Sequence, residues 1–390
     1  MTAAVPEPEP EPALDPAGPE VVLGGTDPIR PEIRPEPASL FGPRSARAFG
    51  PEGPLVIADT GHHRLVIHQS LPEHDGSPAD LVLGQPDFQT EGRNAGRDEP
   101  TPETLNVPVG VCPIGPGLAV ADGWNNRVLI WHRFPERSGQ PADLVLGQTD
   151  FRGQAPNRGR NEADPGSMHW PFQVLTLGDS LWVADTGNRR VLVWRCLPTE
   201  NGQPADWCIG QSDLHSRSDN GGQQADRHSL RWPHDLTRVG DRGLAVADAG
   251  NNRILVWNDF PRNFSVPADC VLGQADFEGV DHNRGRYWPT ADALNMPYAV
   301  ASDARGRLLV ADTANSRLVG YRPCQAGTPN PWIPTDLTGQ PHFGAKGDNR
   351  NRLPERDSLC WPYGLQITQD LAVVADTGNH RVLLWRVVGG

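Results

Sequence analysis

The stretch VADTGNHRVLLW, residues 374–385, decides the architecture, because near-copies of it recur along the whole chain. They are IADTGHHRLVIH (57–68), VADGWNNRVLIW (120–131), VADTGNRRVLVW (183–194), VADAGNNRILVW (246–257) and VADTANSRLVGY (310–321). Their aspartates, Asp59, Asp122, Asp185, Asp248, Asp312 and Asp376, are spaced by 63, 63, 63, 64 and 64 residues. Six copies at a constant period mean a repeat architecture. A second phrase keeps the same beat: ADLVLGQPDF (79–88), ADLVLGQTDF (142–151), ADWCIGQSDL (205–214), ADCVLGQADF (268–277) and the degraded TDLTGQPHF (335–343). A third, led by proline, precedes each aspartate, as in MHWPFQVL (168–175) and LRWPHDLT (230–237).

Each unit reads as four strands: the run after the proline, the LAVAD run, the RVLVW run and the DLVLG run. Val, Ile, Leu and Trp in short alternation favour strands, and the ADTGN turn joins two of them as a hairpin. One four-stranded sheet cannot bury both of its faces alone, whereas six arranged radially can. The spacing therefore predicts an all-β fold, a six-bladed β-propeller with four-stranded blades. The blades fall near 38–88, 105–151, 168–214, 230–277, 294–343 and 359–390. The last unit lacks its fourth phrase, and EVVLGGTDP at 20–28 carries it instead. An N-terminal strand completing the last blade would close the ring and cover an open edge. Residues 1–19, rich in Pro and Glu, read as a disordered lead ahead of a propeller spanning 20–390.

Composition narrows the function classes. The net charge is −13, and eight acidic residues against two arginines in the first 37 residues supply much of it. That balance argues against nucleic acid and anionic membranes, which require a basic face. No apolar run approaches the ~18 residues of a membrane span. The start MTAAVPEPEP lacks the basic and apolar regions of a signal peptide, so a cytoplasmic protein is expected. The six cysteines form no CxxC and read as reduced thiols. Lys346 is the one lysine among 35 basic residues, a codon bias that points to a high-GC bacterial source.

The Asn379-His380-Arg381-Val382-Leu383 core, with near matches at 188–192 and 251–255, resembles the NHL-repeat family over roughly residues 38–390. The resemblance implies a six-bladed propeller, with long connectors as the departure. It also implies a spread of roles: protein-interaction platforms, RNA-binding modules, metal-containing amidating lyases and, more distantly, lactonases. Bacterial relatives suggest an accessory role beside a redox or metalloenzyme complex.

Candidate residues divide into three sets. The Asp–Arg pair of each unit, five residues apart, occurs six times and therefore marks scaffold, not one active site. The connectors RNAGR (93–97), NRGR (157–160), NRGR (283–286) and NRNR (349–352) place Arg97, Arg158, Arg160, Arg284, Arg286, Arg350 and Arg352 on one face, either paired with nearby Asp98, Glu99, Glu162, Asp164 and Asp357 or with loop carbonyls, or free as a candidate surface for an acidic partner protein. The units differ most just after the inner-strand proline. There Arg44, Phe172, Gln173, His234, Asp235, Tyr298 and Tyr363 would converge on one channel mouth as a candidate small-molecule site. His169, His234 and His282 follow no zinc spacing, and no GxSxG, P-loop or HExxH is present. No catalytic residue, metal or cofactor is assigned. The expected function is a non-catalytic interaction platform for a protein partner. A channel-mouth hydrolase or lyase of the lactonase-like type is the alternative, and RNA binding the second.

Overall fold

In the computed structural model, residues 9–25, 27, 31–323 and 332–388 are described. Their strands form six sheets, each a radial blade with the Pro-led strand innermost. Blade 3 shows the pattern with strands Pro171–Leu177, Ser180–Asp185, Arg190–Trp194 and Trp207–Ile209, all antiparallel. The inner strands pack in sequence order round the ring, and Pro362–Thr368 of blade 6 lies against Ser45–Ala48 of blade 1. Apolar side chains from both faces of each sheet, such as Val183 on one face and Trp182 on the other in blade 3, are buried against the neighbouring blades. Pleating makes this possible, since successive strand residues point to opposite faces and both faces here are covered.

Six buried ion pairs organise one face of the ring. In blade 2, Arg127 donates from Nε to Asp122 Oδ2 at 2.8 Å, from Nη1 to the Phe151 carbonyl at 2.5 Å and from Nη2 to the Thr101 and Thr104 carbonyls. Asp122 Oδ1 accepts the Asn106 N–H at 2.7 Å, and Oδ2 accepts from Asn125 as well. One pair thus ties the 2–3 turn, the connector arriving at the inner strand and the loop leaving the outer strand. The ion pair and the Nη2 bonds recur through Asp59–Arg64, Asp185–Arg190, Asp248–Arg253, Asp312–Arg317 and Asp376–Arg381, and the Nη1 bond recurs in blades 1, 3, 4 and 5. Between blades, Thr60 and Thr313 donate to the Pro108 and Pro362 carbonyls, and Thr377 closes the circle on Pro43 at 2.6 Å.

At the closure, Val21–Gly24 pairs antiparallel with Arg381–Arg386, the third strand of blade 6. The expectation of a disordered lead through residue 19 is corrected over residues 11–18. Glu11–Pro12 adds a parallel fifth strand to blade 5, on Asp336 and Leu337. Ala13 and Leu14 are buried between blades 5 and 6, and the Asp15 carbonyl accepts from Trp385 Nε1 at 2.8 Å. The apolar pair inside the Pro/Glu pattern is what the composition obscured. The part of that lead in residues 1–8 lies outside the described residues.

Two predictions follow from this packing. Asp248→Ala leaves the Arg253 guanidinium buried without its carboxylate and should destabilise the fold by about 3–5 kcal/mol, read by denaturant melts; an unchanged midpoint would refute the pairing. Deleting residues 1–19 should lower the melting temperature, and deleting 1–28 should lower it further by also stripping the outer strand of blade 6. Equal melting of the full chain and both truncations would remove any stabilising role for the segment.

Candidate functional site

The inner strands of blades 2 to 6 each carry a register shift directly after the proline, for example between Pro171 and Gln173. The bulged residue turns toward the axis. Phe172, His234, Tyr298 and Tyr363 consequently meet at one channel mouth, where the His234 and Tyr298 rings stack at 4.3 Å with an interplanar angle of 1°. Arg44 lies 5.2 Å from the Tyr363 ring centre and completes the layer from blade 1. Phe172, His234 and Tyr298 are buried by this mutual packing, while Arg44 and Tyr363 remain half-buried and are the members a ligand would meet first. His234 Nδ1 bonds the Trp232 carbonyl at 2.9 Å. Burial holds its pKa down at about 4, so the ring is neutral at pH 7.

Gln173 and Asp235 lie one layer deeper, apart from the aromatic ring. Asp235 accepts the Leu236 and Val300 N–H groups at 2.8 and 3.0 Å. Arg47 of blade 1 approaches it to 3.6 Å from the opposite side of the ring. Burial raises the Asp235 pKa to about 6, and the Arg47 charge and the N–H donors oppose that rise. The sequence grouped Gln173 and Asp235 with His234 at one mouth, whereas strand alternation sets them deeper, and it gave no sign of Arg47, which sits in the one blade whose inner strand has no LN-x-P or W-P phrase. Gly110 and Gly364 let these strands approach, since a Cβ there would fall 2.6 Å from Gln173 Cα and from the Arg44 carbonyl.

The connector arginines do not act as one ring. The NRGR-type segments are tight turns in which Asn94, Asn157, Asn283 and Asn349 adopt left-handed backbone and exchange amide hydrogen bonds with Asn125, Asn188, Asn315 and Asn379. Arg158 donates to the Gly147, Gly166 and Gly202 carbonyls. Arg284 pairs with Asp292, Arg350 with Asp357 at 2.7 Å, and Arg160 with Asp164 at 3.1 Å. Arg97, Arg286 and Arg352 are exposed and have no ion-pair partner among the described residues.

Exposed aromatic side chains accompany them. Strand 2 ends and strand 1 begins on the same face, so the 2–3 turns and the connectors share it. This turn face carries Tyr287 and Trp288, 70% and 58% exposed, together with Trp124 at 59% and the exposed Trp361 and Leu353. Tyr287 and Trp288 meet edge to face at 5.0 Å, and Lys346 Nζ caps the Tyr287 ring at 3.7 Å. These residues went unnoticed in the sequence because aromatic residues in a repeat read as core. Their signal was irregularity: GWN where the other turns read TGN, AGN, TGH or TAN, and YWP directly after NRGR.

Among the described residues no three His, Cys, Asp or Glu side chains form a group able to hold a metal, and no helix is long and apolar enough to cross a membrane. Cys112, Cys196, Cys208, Cys270 and Cys360 are free thiols, and burial raises the pKa of Cys112 to about 12.

These features define a closed six-bladed propeller with repeated Asp–Arg clamps and an irregular, aromatic-bearing face. No family model matches the chain. It is 26% identical over 365 residues to human NHL repeat-containing protein 2, covering 84% of this chain, and 24% identical over 381 residues to the protein of the same name from Bos taurus, covering 89%. The chain spans 44% and 46% of the length of these curated relatives. Among solved structures, Kuenenia stuttgartiensis hydrazine synthase superposes with a TM-score of 0.51 at 13% identity, over 90% of this chain and 97% of that one, a likeness of fold alone. The six repeats, the six-bladed fold and these relatives agree in a likeness to NHL-repeat proteins.

The buried His234 and Asp235 oppose each other in pH dependence. Asp235 binds its proton more tightly folded than unfolded, so its ionisation costs stability as pH rises from about 4 to about 6. His234 contributes stability above its unfolded pKa of 6.5 that is lost as pH falls to about 4. Asp235→Asn leaves the histidine contribution alone. Its melting temperature should therefore fall more steeply than that of the wild type between pH 6.5 and 4; parallel curves would contradict the assignment.

Proposed function

We propose that the chain is a non-catalytic interaction platform whose turn face docks a partner protein. The observation that carries the reading is the coincidence, on one face, of exposed Trp124, Tyr287, Trp288 and Trp361 with the exposed Arg97, Arg286 and Arg352, which have no ion-pair partner among the described residues. Aromatic and arginine side chains dominate binding energy at protein interfaces, and exposed apolar area rimmed by charge marks such surfaces. The edge-to-face Tyr287–Trp288 pair under Lys346 is held before binding, which lowers the ordering cost on association. A partner with an apolar cleft edged by carboxylates suits this chemistry. The arginines held by carbonyls and carboxylates, Arg158, Arg160, Arg284 and Arg350, serve the platform by fixing its connectors.

The test is purification of the tagged chain from its native cells, with identification of what co-purifies in stoichiometric amount. Trp288→Ala combined with Arg286→Glu should weaken that partner by roughly tenfold or more while leaving the melting temperature unchanged. Full retention of the partner by the folded double variant would rule out this face.

A further inference from the structure

The seam where blade 6 meets blade 1 departs from the other blade interfaces at one residue. The last core position of the third strand holds Trp131, Trp194, Trp257 and Trp385 in blades 2, 3, 4 and 6, and Tyr321 in blade 5. Each of these rings is buried against the preceding blade. The four indoles also donate to carbonyls, those of Gln140, Gln203, Val266 and Asp15. Blade 1 places His68 there. Beside the smaller imidazole runs a groove of about 1160 Å³, bounded by Pro51–Glu52, the loop from Ser70 to Asp80, the Thr368–Leu371 hairpin and the start of the Val21–Gly24 strand. It lies at the 1–2 hairpins, on the face opposite the turns.

The lining is strongly acidic. Glu20, Glu52, Glu73, Asp80 and Asp370 face it against the single cation Arg386, which already pairs with Glu20 at 2.9 Å and Asp370 at 2.7 Å. Glu52 and Glu73 are exposed and have no ion-pair partner among the described residues. A second observation comes from His68 itself. It is 5% exposed, it lines the groove, and its ring nitrogens meet no hydrogen-bonding partner among the described residues. Burial lowers its pKa, against the pull of Asp80, so the ring is neutral at pH 7 and offers a lone pair. The ring nitrogens keep contact with the solvent of the groove, and a ligand N–H can take the place of that solvent.

We propose that the seam groove binds an organic cation bearing ammonium or guanidinium groups, with His68 accepting its innermost N–H and Glu52, Glu73 and Asp80 holding its charge. A free polyamine and a basic segment of another protein share this chemistry. The site is separate from the turn face, so its failure would leave the partner-docking reading intact.

His68→Trp puts the repeat's own residue into the seam and fills the groove, and it should keep or raise the melting temperature. Spermidine and, separately, a hexa-arginine peptide are titrated calorimetrically against wild type, His68→Trp and the Glu52→Gln/Glu73→Gln double variant. One probe should bind the wild type, weaken with added salt, and lose roughly tenfold or more in affinity in both variants; the tighter probe identifies the source. No binding of either probe at millimolar concentration overturns the proposal, as does undiminished binding to folded His68→Trp. Should that variant fail to fold, the double variant, altered only at exposed side chains, decides in the same sense.

Discussion

The interaction on which the rest depends is the buried Asp–Arg pair. A guanidinium has five N–H donors in a rigid plane, and burying it is costly unless they are used. Arg127 uses one edge on Asp122 and turns the others to carbonyls at residues 101, 104 and 151. Three chain segments remote in sequence are therefore tied to one plane. Lysine could not do this, since its ammonium is a point charge without a fork. Repeated six times, the clamp fixes the height of every loop on the turn face and lets long connectors stay ordered without sheet structure of their own.

Asymmetry is laid over that regular frame at little cost to it. The clamps use Asp, Arg and Asn, which leaves the residue after the inner-strand proline, the turn tips and the connectors free to vary. Phe172, His234 and Tyr298 fill the channel mouth, Trp124 stands on a turn tip, and Tyr287 with Trp288 extends a connector. Each changes a surface without touching a clamp.

How much was legible in the sequence follows from the same division. The blade count, strand order and scaffold role of the Asp–Arg pairs could be read because each was stated six times, and periodicity needs no three-dimensional information. The burial of Ala13 and Leu14 could not, because two apolar residues among Pro and Glu carry no period. The sequence left the connector arginines open between pairing in the loops and facing a partner, for a related reason. Sequence shows that Arg158 lies on the turn face, but only folded geometry shows that the Gly166 and Gly202 carbonyls take its donors while Arg286 has no ion-pair partner among the described residues. Exposed and buried tryptophans are likewise identical in sequence. Trp131 and Trp124 lie seven residues apart, one within the core and the other in water.

The pairing of Val21–Gly24 with Arg381–Arg386 bears on the order in which the molecule can form. The two strands stand near opposite ends of the described chain, so their union closes a loop containing nearly all of it. Such long-range contacts form late, after the entropy of that closure has been met by structure in between. During synthesis the Val-Val-Leu run therefore waits, unpaired and apolar, until the strand beginning at Arg381 has emerged. Blades 1 to 4 can assemble from local hairpins meanwhile, whereas blades 5 and 6 share the early segment that links them and reach their final form together.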